Sequence, residues 1–137
     1  MDVYEESLKL HEMNKGKLGV MSKVTLKNKK DLTLAYTPGV AEPSRRIGTN
    51  KEDAYKYTNK GNMVAVISNG TAVLGLGDIG AYGAIPVMEG KAVLFKELAG
   101  IDAFPICIDS KDIEENIKTI KNIAPIFGGI NLEDYKA

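Results

Sequence analysis

The sequence predicts an α/β fold: a small, mostly parallel sheet flanked by helices, with a helical arm at the N-terminus. Two apolar runs of strand length, Asp102 to Asp109 and Ile126 to Leu132, enclose a helical repeat of Ile113, Ile117, Ile120 and Ala124. A strand, helix and strand over residues 102–132 have the length a parallel, right-handed crossover needs. Upstream, the β-branched run Met63 to Ile67 leads through glycine-rich sequence into a second helical pattern around Lys91.

The 137 residues suffice for one domain, 1–137, with a real core, since a chain of this size buries about two-thirds of its unfolded surface. Lys plus Arg and Asp plus Glu balance at 18 each, so no strong field draws nucleic acid or an anionic membrane. Apolar runs stay well short of the ~20 residues that span a bilayer. The start, MDVYEESLKL, is amphipathic and acidic, unlike a signal peptide, and predicts a cytoplasmic protein. The single cysteine, Cys107, excludes an internal disulfide framework and reads as a buried, inert thiol. His11 has no Cys/His metal spacing around it and reads as a surface or packing residue of the first helix.

Val3, Tyr4, Leu8 and His11 recur at helical spacing, which predicts a helix over residues 2–13 ended by Gly16 and acting as a packing or subunit-contact arm. Lys17 to Leu26 has a weak strand-like pattern. Tyr36 then ends an extended segment before Thr37-Pro38-Gly39, where Thr37 with Pro38 offers one helix start and Pro43 a second. Asn50 with Asp53 imitates a capping box and opens a short helix through Tyr55 and Tyr57.

Asn69-Gly70 between Met63–Ile67 and Thr71–Leu74 is the signal for a type I′ turn and predicts a β-hairpin near residues 63–75. Val87, Val93, Leu94 and Leu98 around Lys91 predict a helix from Pro86 to Gly100, weakened at Gly90, where the backbone is expected to be closely approached. Ser110 is the expected cap of the next helix, and Pro125 bars its continuation.

Three groups of residues can carry chemistry. Gly75-Leu76-Gly77-Asp78-Ile79-Gly80 satisfies G-x-G-x-x-G after a strand. Gly83 and Pro86 interrupt the long helix that a dinucleotide site requires, so the segment reads as a tight turn whose amides line a cleft. Glu133 and Asp134 are adjacent carboxylates. On a regular strand they point to opposite faces as ordinary surface residues, but they lie just past the carboxyl end of a predicted parallel strand, where α/β sheets bind ligands. Irregular backbone there can turn both toward one hard cation. Taken singly, Lys91 and Tyr36 are as ambiguous as most lysines and tyrosines.

The segments LAYTPGVAEP (34–43), AVISNGTAVLGLGDIGAYGAIPVMEGKAVLFK (65–96), IDAFPICID (101–109) and APIFGGINLED (124–134) together resemble the N-terminal, substrate-side domain of bacterial NAD(P)-dependent malic enzymes. The resemblance spans nearly the whole chain. It implies oxidative decarboxylation of L-malate to pyruvate and carbon dioxide with Mg2+ or Mn2+. It further implies Tyr36, in AYTPG, as catalytic tyrosine, Lys91, in MEGK, as catalytic lysine, and Glu133 with Asp134 as two of three metal-ligating carboxylates. The family's third carboxylate and its nucleotide-binding domain, which holds NAD or NADP, follow the ED pair, whereas this sequence ends three residues after it. No cofactor-binding residue is therefore assigned here, and the chain alone is expected to be inactive. At Ala72, where animal members carry an arginine toward the malate carboxylate, there is no charge.

These residue types suit that chemistry. A lysine can accept the 2-hydroxyl proton as hydride leaves if desolvation or a nearby cation lowers its proton affinity, and a tyrosine can protonate carbon 3 of the enolate. The competing class is a stand-alone, non-enzymatic ligand-binding or assembly domain. Apolar surface on the arm and at a sheet edge after Leu132 predicts a homodimer. Glu133 and Asp134 are expected to fray and to bind metal weakly.

Overall fold

The computed structural model describes residues 2–137. Its centre is a three-stranded, all-parallel sheet built from β1 (Met63–Ser68), β2 (Asp102–Cys107) and β3 (Gly129–Leu132), in the order β2-β1-β3. β1 pairs with β2 from Met63↔Asp102 to Ser68↔Cys107, and with β3 from Val64↔Gly129 to Ile67↔Leu132. The continuous apolar run of β1 fits this central place, and Ala65, Val66 and Ile67 are fully buried. β2 lies at an edge, which is where a strand can carry a residue such as Pro105 that lacks an N–H. The strand, helix and strand over residues 102–132 do form a parallel crossover within one sheet, and it passes across β1, which lies between β2 and β3.

Helix α5 (Gly80–Ala99) covers β1 and buries Ala81, Ala84, Met88 and Ala92. Val66, Ala84 and Met88 form the core cluster, with Phe95, Ala103 and Cys107 packed against it. Full burial of side chains such as Val66, Ile67 and Met88 stabilises by about 1.5–3 kcal/mol each. The helix starts six residues earlier than Pro86 and passes through it. Proline removes one helical hydrogen bond, but the carbonyl it frees is that of exposed Tyr82, where water can serve it. Gly100, at φ 66, ends the helix as predicted.

The predicted hairpin is absent, since both edges of β1 are occupied by β2 and β3 and leave no room for Thr71–Leu74. Asn69-Gly70 instead turns the chain toward α5. Ser68 Oγ accepts the Gly70 N–H at 2.9 Å, and the Gly70 carbonyl accepts from Ile79 N (3.0 Å) and Gly80 N (3.1 Å). The glycine-rich stretch closes on itself by an isolated Val73↔Gly77 bridge. Gly70 sits at φ +70, and a Cβ there would lie 2.0 Å from the Gly80 carbonyl oxygen. Left-handed strain and a backbone clash add, so Gly70→Ala should destabilise by about 3 kcal/mol or more. Denaturant unfolding checks this, and a loss under about 1 kcal/mol would show that the turn can shift without cost.

After β2 the helix α6 (Ile113–Ile123) is capped by Asp112, whose Oδ1 accepts Glu115 N at 2.7 Å, while Ser110 Oγ accepts Asp112 N one step earlier. A short 3-10 turn, Ala124–Ile126, with Pro125 near its start, delays β3 to Gly129. Strand β2 likewise stops at Cys107, short of Asp109.

The N-terminal arm begins with α1 (Val3–Asn14), which ends as expected through Lys15 (φ 53) and Gly16 (φ 96). Residues 17–26 form no strand. In place of an extended segment before Tyr36 stands α2 (Lys29–Ala35), capped by Asn28, so Tyr36 ends a helix. Thr37-Pro38 is a cis peptide, and α3 (Ala41–Thr49) starts beside Pro43 rather than at Thr37. Asn50 caps a 3-10 turn, Lys51–Asp53, that leads into α4 (Ala54–Tyr57). Lys17 clasps the arm to α5: its N–H donates to Glu89 Oε2 at 3.0 Å and its ammonium to the Pro86 carbonyl at 2.8 Å. Among the described residues no helix is long and apolar enough to cross a membrane.

Candidate active site at the carboxyl ends of the strands

At the carboxyl ends of the three strands the chain gathers polar groups. The Ser68 carbonyl accepts Ile108 N at 2.9 Å, and the Ile67 carbonyl accepts Glu133 N at 2.9 Å, which fixes the first residue beyond β3 against the end of β1. On α5, Lys91 is three residues past buried Met88 and beside buried Ala92, at the margin of the stripe that faces the sheet. From there its Nζ lies 2.8 Å from Glu133 Oε1, with the two side chains 41% and 26% exposed. Gly90 does not mark a close backbone approach, because the nearest atom to a Cβ there is Lys17 Cε at 3.8 Å.

Asp134 has φ 55, one of two non-glycine residues with positive φ among the described residues. The strand alternation that would send Glu133 and Asp134 to opposite faces therefore breaks between them. The segment expected to fray is tied on both sides of Asp134. Ala72 N donates to the Asp134 carbonyl at 3.0 Å, Lys136 N to Thr71 Oγ1 at 2.9 Å and the Tyr135 hydroxyl to Asn116 Oδ1 at 3.0 Å. Burial pushes the Tyr135 phenol up, aided by Cys107, and keeps it the donor in that bond. Burial likewise raises the Cys107 thiol, in keeping with an inert cysteine.

Of the four predicted site residues the structure joins Lys91 to Glu133, with Asp134 next in the chain. Tyr36 stands apart on the arm, 67% exposed, and among the described residues no hydrogen bond or ion pair links it to the other three. No group of three His, Cys, Asp or Glu gathers among the described residues. Even so, the donors present fit a hard divalent cation. Both are carboxylates, Glu133 already faces one cationic group, and two protein carboxylates suffice for an ion that takes its other oxygens from water and substrate.

The glycine-rich turn departs from a dinucleotide fingerprint for a reason other than the expected one. The helix does follow Gly80 directly, but Gly75 stands seven residues beyond Ser68 instead of in the turn that ends the strand. Asp78 in this turn pairs with Lys111 at 2.6 Å, and the lysine's hydrogen bond holds its carboxyl below the usual range.

Sequence reasoning missed Thr71, Asn116 and Tyr135. Asn116 carried a signal, as an amide lying between Ile113 and Ile117 on the apolar stripe of α6, where it is the one buried residue of that helix.

The lysine–carboxylate pair, with a second carboxylate next in the chain, stands at the carboxyl end of a parallel sheet, the place where α/β domains bind ligands. Residues 15–137 match the family model of the malic enzyme N-terminal domain, and the chain belongs to the malic enzyme family. It is 57% identical over 137 residues to the bifunctional malic/malolactic enzyme of Bacillus subtilis (strain 168), covering 100% of this chain and 33% of that protein. It is 61% identical over 122 residues to the NAD-dependent malic enzyme of Geobacillus stearothermophilus, covering 89% of this chain and 26% of the relative. The crystal structure of the malic enzyme from Pyrococcus horikoshii Ot3 superposes with a TM-score of 0.96 at 50% identity, over 99% of this chain and 32% of that one. The chain thus spans a third or less of the length of these relatives.

Proposed function

We propose that this chain is the substrate- and metal-side domain of an enzyme that oxidatively decarboxylates L-malate to pyruvate and carbon dioxide, with NAD or NADP and Mg2+ or Mn2+. The observation that carries this reading is the Lys91–Glu133 contact at the carboxyl end of the sheet in a chain of this family. Glu133 and Asp134 hold the divalent cation. When bound, the cation would supply positive charge to stabilise the negative charge that develops on the substrate oxygens. Lys91 would take the 2-hydroxyl proton, and a nicotinamide, when bound, would accept the hydride of carbon 2. Once carbon dioxide has departed, Tyr36 gives a proton to carbon 3.

The nucleotide is bound by a C-terminal domain outside this chain, and residues 1–137 alone do not turn over. The small share of each relative that the chain covers supports this division. In the longer protein, reduced cofactor should form from L-malate with Mn2+, stop on chelation and resume when Mn2+ or Mg2+ is returned. Turnover that survives complete metal removal would contradict the roles of Glu133 and Asp134.

The protein acts in the cytoplasm, the compartment that supplies a nicotinamide pool, and its recovery in a membrane or secreted fraction would count against that. It works as a homodimer. Support comes from exposed Val3, Tyr4 and Leu8 on α1 and from the outer edge of β3, which no strand among the described residues covers and which exposes Leu132. Sedimentation should give at least a dimer at tens of micromolar protein, and a pure monomer would refute it.

A further inference from the structure

We propose that Thr71, Asn116 and Tyr135 are positioning residues for the Glu133–Asp134 pair, holding the two carboxylates in register by fixing the backbone on both sides of the left-handed Asp134. This rests on the metal-binding reading above.

A non-glycine residue in the left-handed region costs on the order of 1–2 kcal/mol and persists where its surroundings over-determine it. At Asp134 they do. The residue before it is tied by Glu133 N to the Ile67 carbonyl, its own carbonyl by Ala72 N, and the chain after it by Lys136 N to Thr71 Oγ1 and by the Tyr135 hydroxyl to Asn116 Oδ1. Two of these ties are side-chain bonds made by residues buried away from solvent, Thr71 and Asn116, the latter only 4% exposed.

Neither anchor is free to turn. Asn116 Nδ2 donates to the Ser110 carbonyl (2.9 Å) and the Asp112 carbonyl (2.7 Å), which leaves Oδ1 as the atom presented to Tyr135. Thr71 Oγ1 spends its proton on Asn69 Oδ1 at 2.6 Å and so meets Lys136 N as an acceptor. Asn69 Nδ2 in turn donates to the same Ser110 carbonyl at 3.1 Å, closing the net across the loops that follow all three strands. All its side chains are uncharged and serve one another and the backbone, so their influence on a cation passes through the conformation of residues 133–134. Each tie removed lowers the cost of moving Asp134 toward extended backbone, where strand alternation parts the two carboxylates, and so raises the share of protein in which they are parted.

Outer supports of ligands are typically worth about tenfold to a hundredfold in metal affinity. In the longer protein, Mn2+ titration followed by the spin-resonance signal of free Mn2+ should show about tenfold weaker binding in Tyr135→Phe and in Thr71→Val. Thr71→Ser, which keeps the hydroxyl, should bind like the parent, and the Glu133→Gln, Asp134→Asn double variant sets the floor. Tyr135→Phe removes one oxygen and keeps the ring, so folded protein is expected, with circular dichroism as the check. Parental Mn2+ affinity in Tyr135→Phe and Thr71→Val, with only a lower melting temperature, would overturn the proposal, because the bonds would then serve stability alone. A parent that binds no tighter than the double variant would overturn the metal-binding reading itself, and this inference with it.

Discussion

Replacing Lys91 with alanine in the longer protein should lower kcat by about two to four powers of ten, the span of a lost general base, and barely move the melting temperature. The two effects separate because of where the side chain lies. Lys91 is half-exposed and its ionic partner is Glu133; a partly solvated pair of this kind contributes about 0–1 kcal/mol. The apolar face of α5 beside it, Met88 and Ala92, is untouched by the change. Lys91→Arg should fail as well, because a guanidinium keeps its charge and cannot act as a base. Turnover of either variant within a few-fold of the parent would remove Lys91 from the chemistry and leave it a counter-ion of Glu133.

Tyr36→Phe should cost a similar two to four powers of ten in kcat at unchanged stability. The phenol has no bond to the site residues and is two-thirds exposed on the arm, so deleting its oxygen disturbs no packing. Its role is assigned from the AYTPG motif, and the variant separates that role from packing. Parental turnover would make Tyr36 a contact residue of the arm. Retained Mn2+ binding with lost turnover would place it in proton delivery.

Much of this fold was legible because local signals and tertiary contacts agreed. The apolar run of β1 and Glu133-Asp134 past the end of a strand were readable from spacing, and α1 with its stop at Gly16 from local signals alone, since its apolar stripe stays exposed. Two of the failures share one physical cause, tertiary packing that overrides a local signal. Asn69-Gly70 is a strong local hairpin signal, but β1 meets partners some 40 and 65 residues away in the chain, and their pairing on both edges overrides it. Pro86 and Gly83 argue against a helix locally, yet packing of Ala81 and Ala84 on the sheet carries α5 through them. The tie of Lys136 N to Thr71 spans 65 residues, and no pattern in NLEDYKA announces it. Tyr36 reads as the end of an extended segment because α2 is short, exposed and weakly periodic.

The most direct test of the central claim follows two atoms of one substrate. L-malate carrying deuterium on carbon 2 and carbon-13 in the carboxylate at carbon 4 is supplied with Mn2+ and NAD or NADP to the longer protein and to its Lys91→Ala variant. The parent should deliver deuterium to the reduced cofactor and carbon-13 to carbon dioxide in equal amounts, and the variant should lose both together. Deuterated cofactor without labelled carbon dioxide, or both products at parental rate from Lys91→Ala, would contradict the assignment of oxidative decarboxylation to this site.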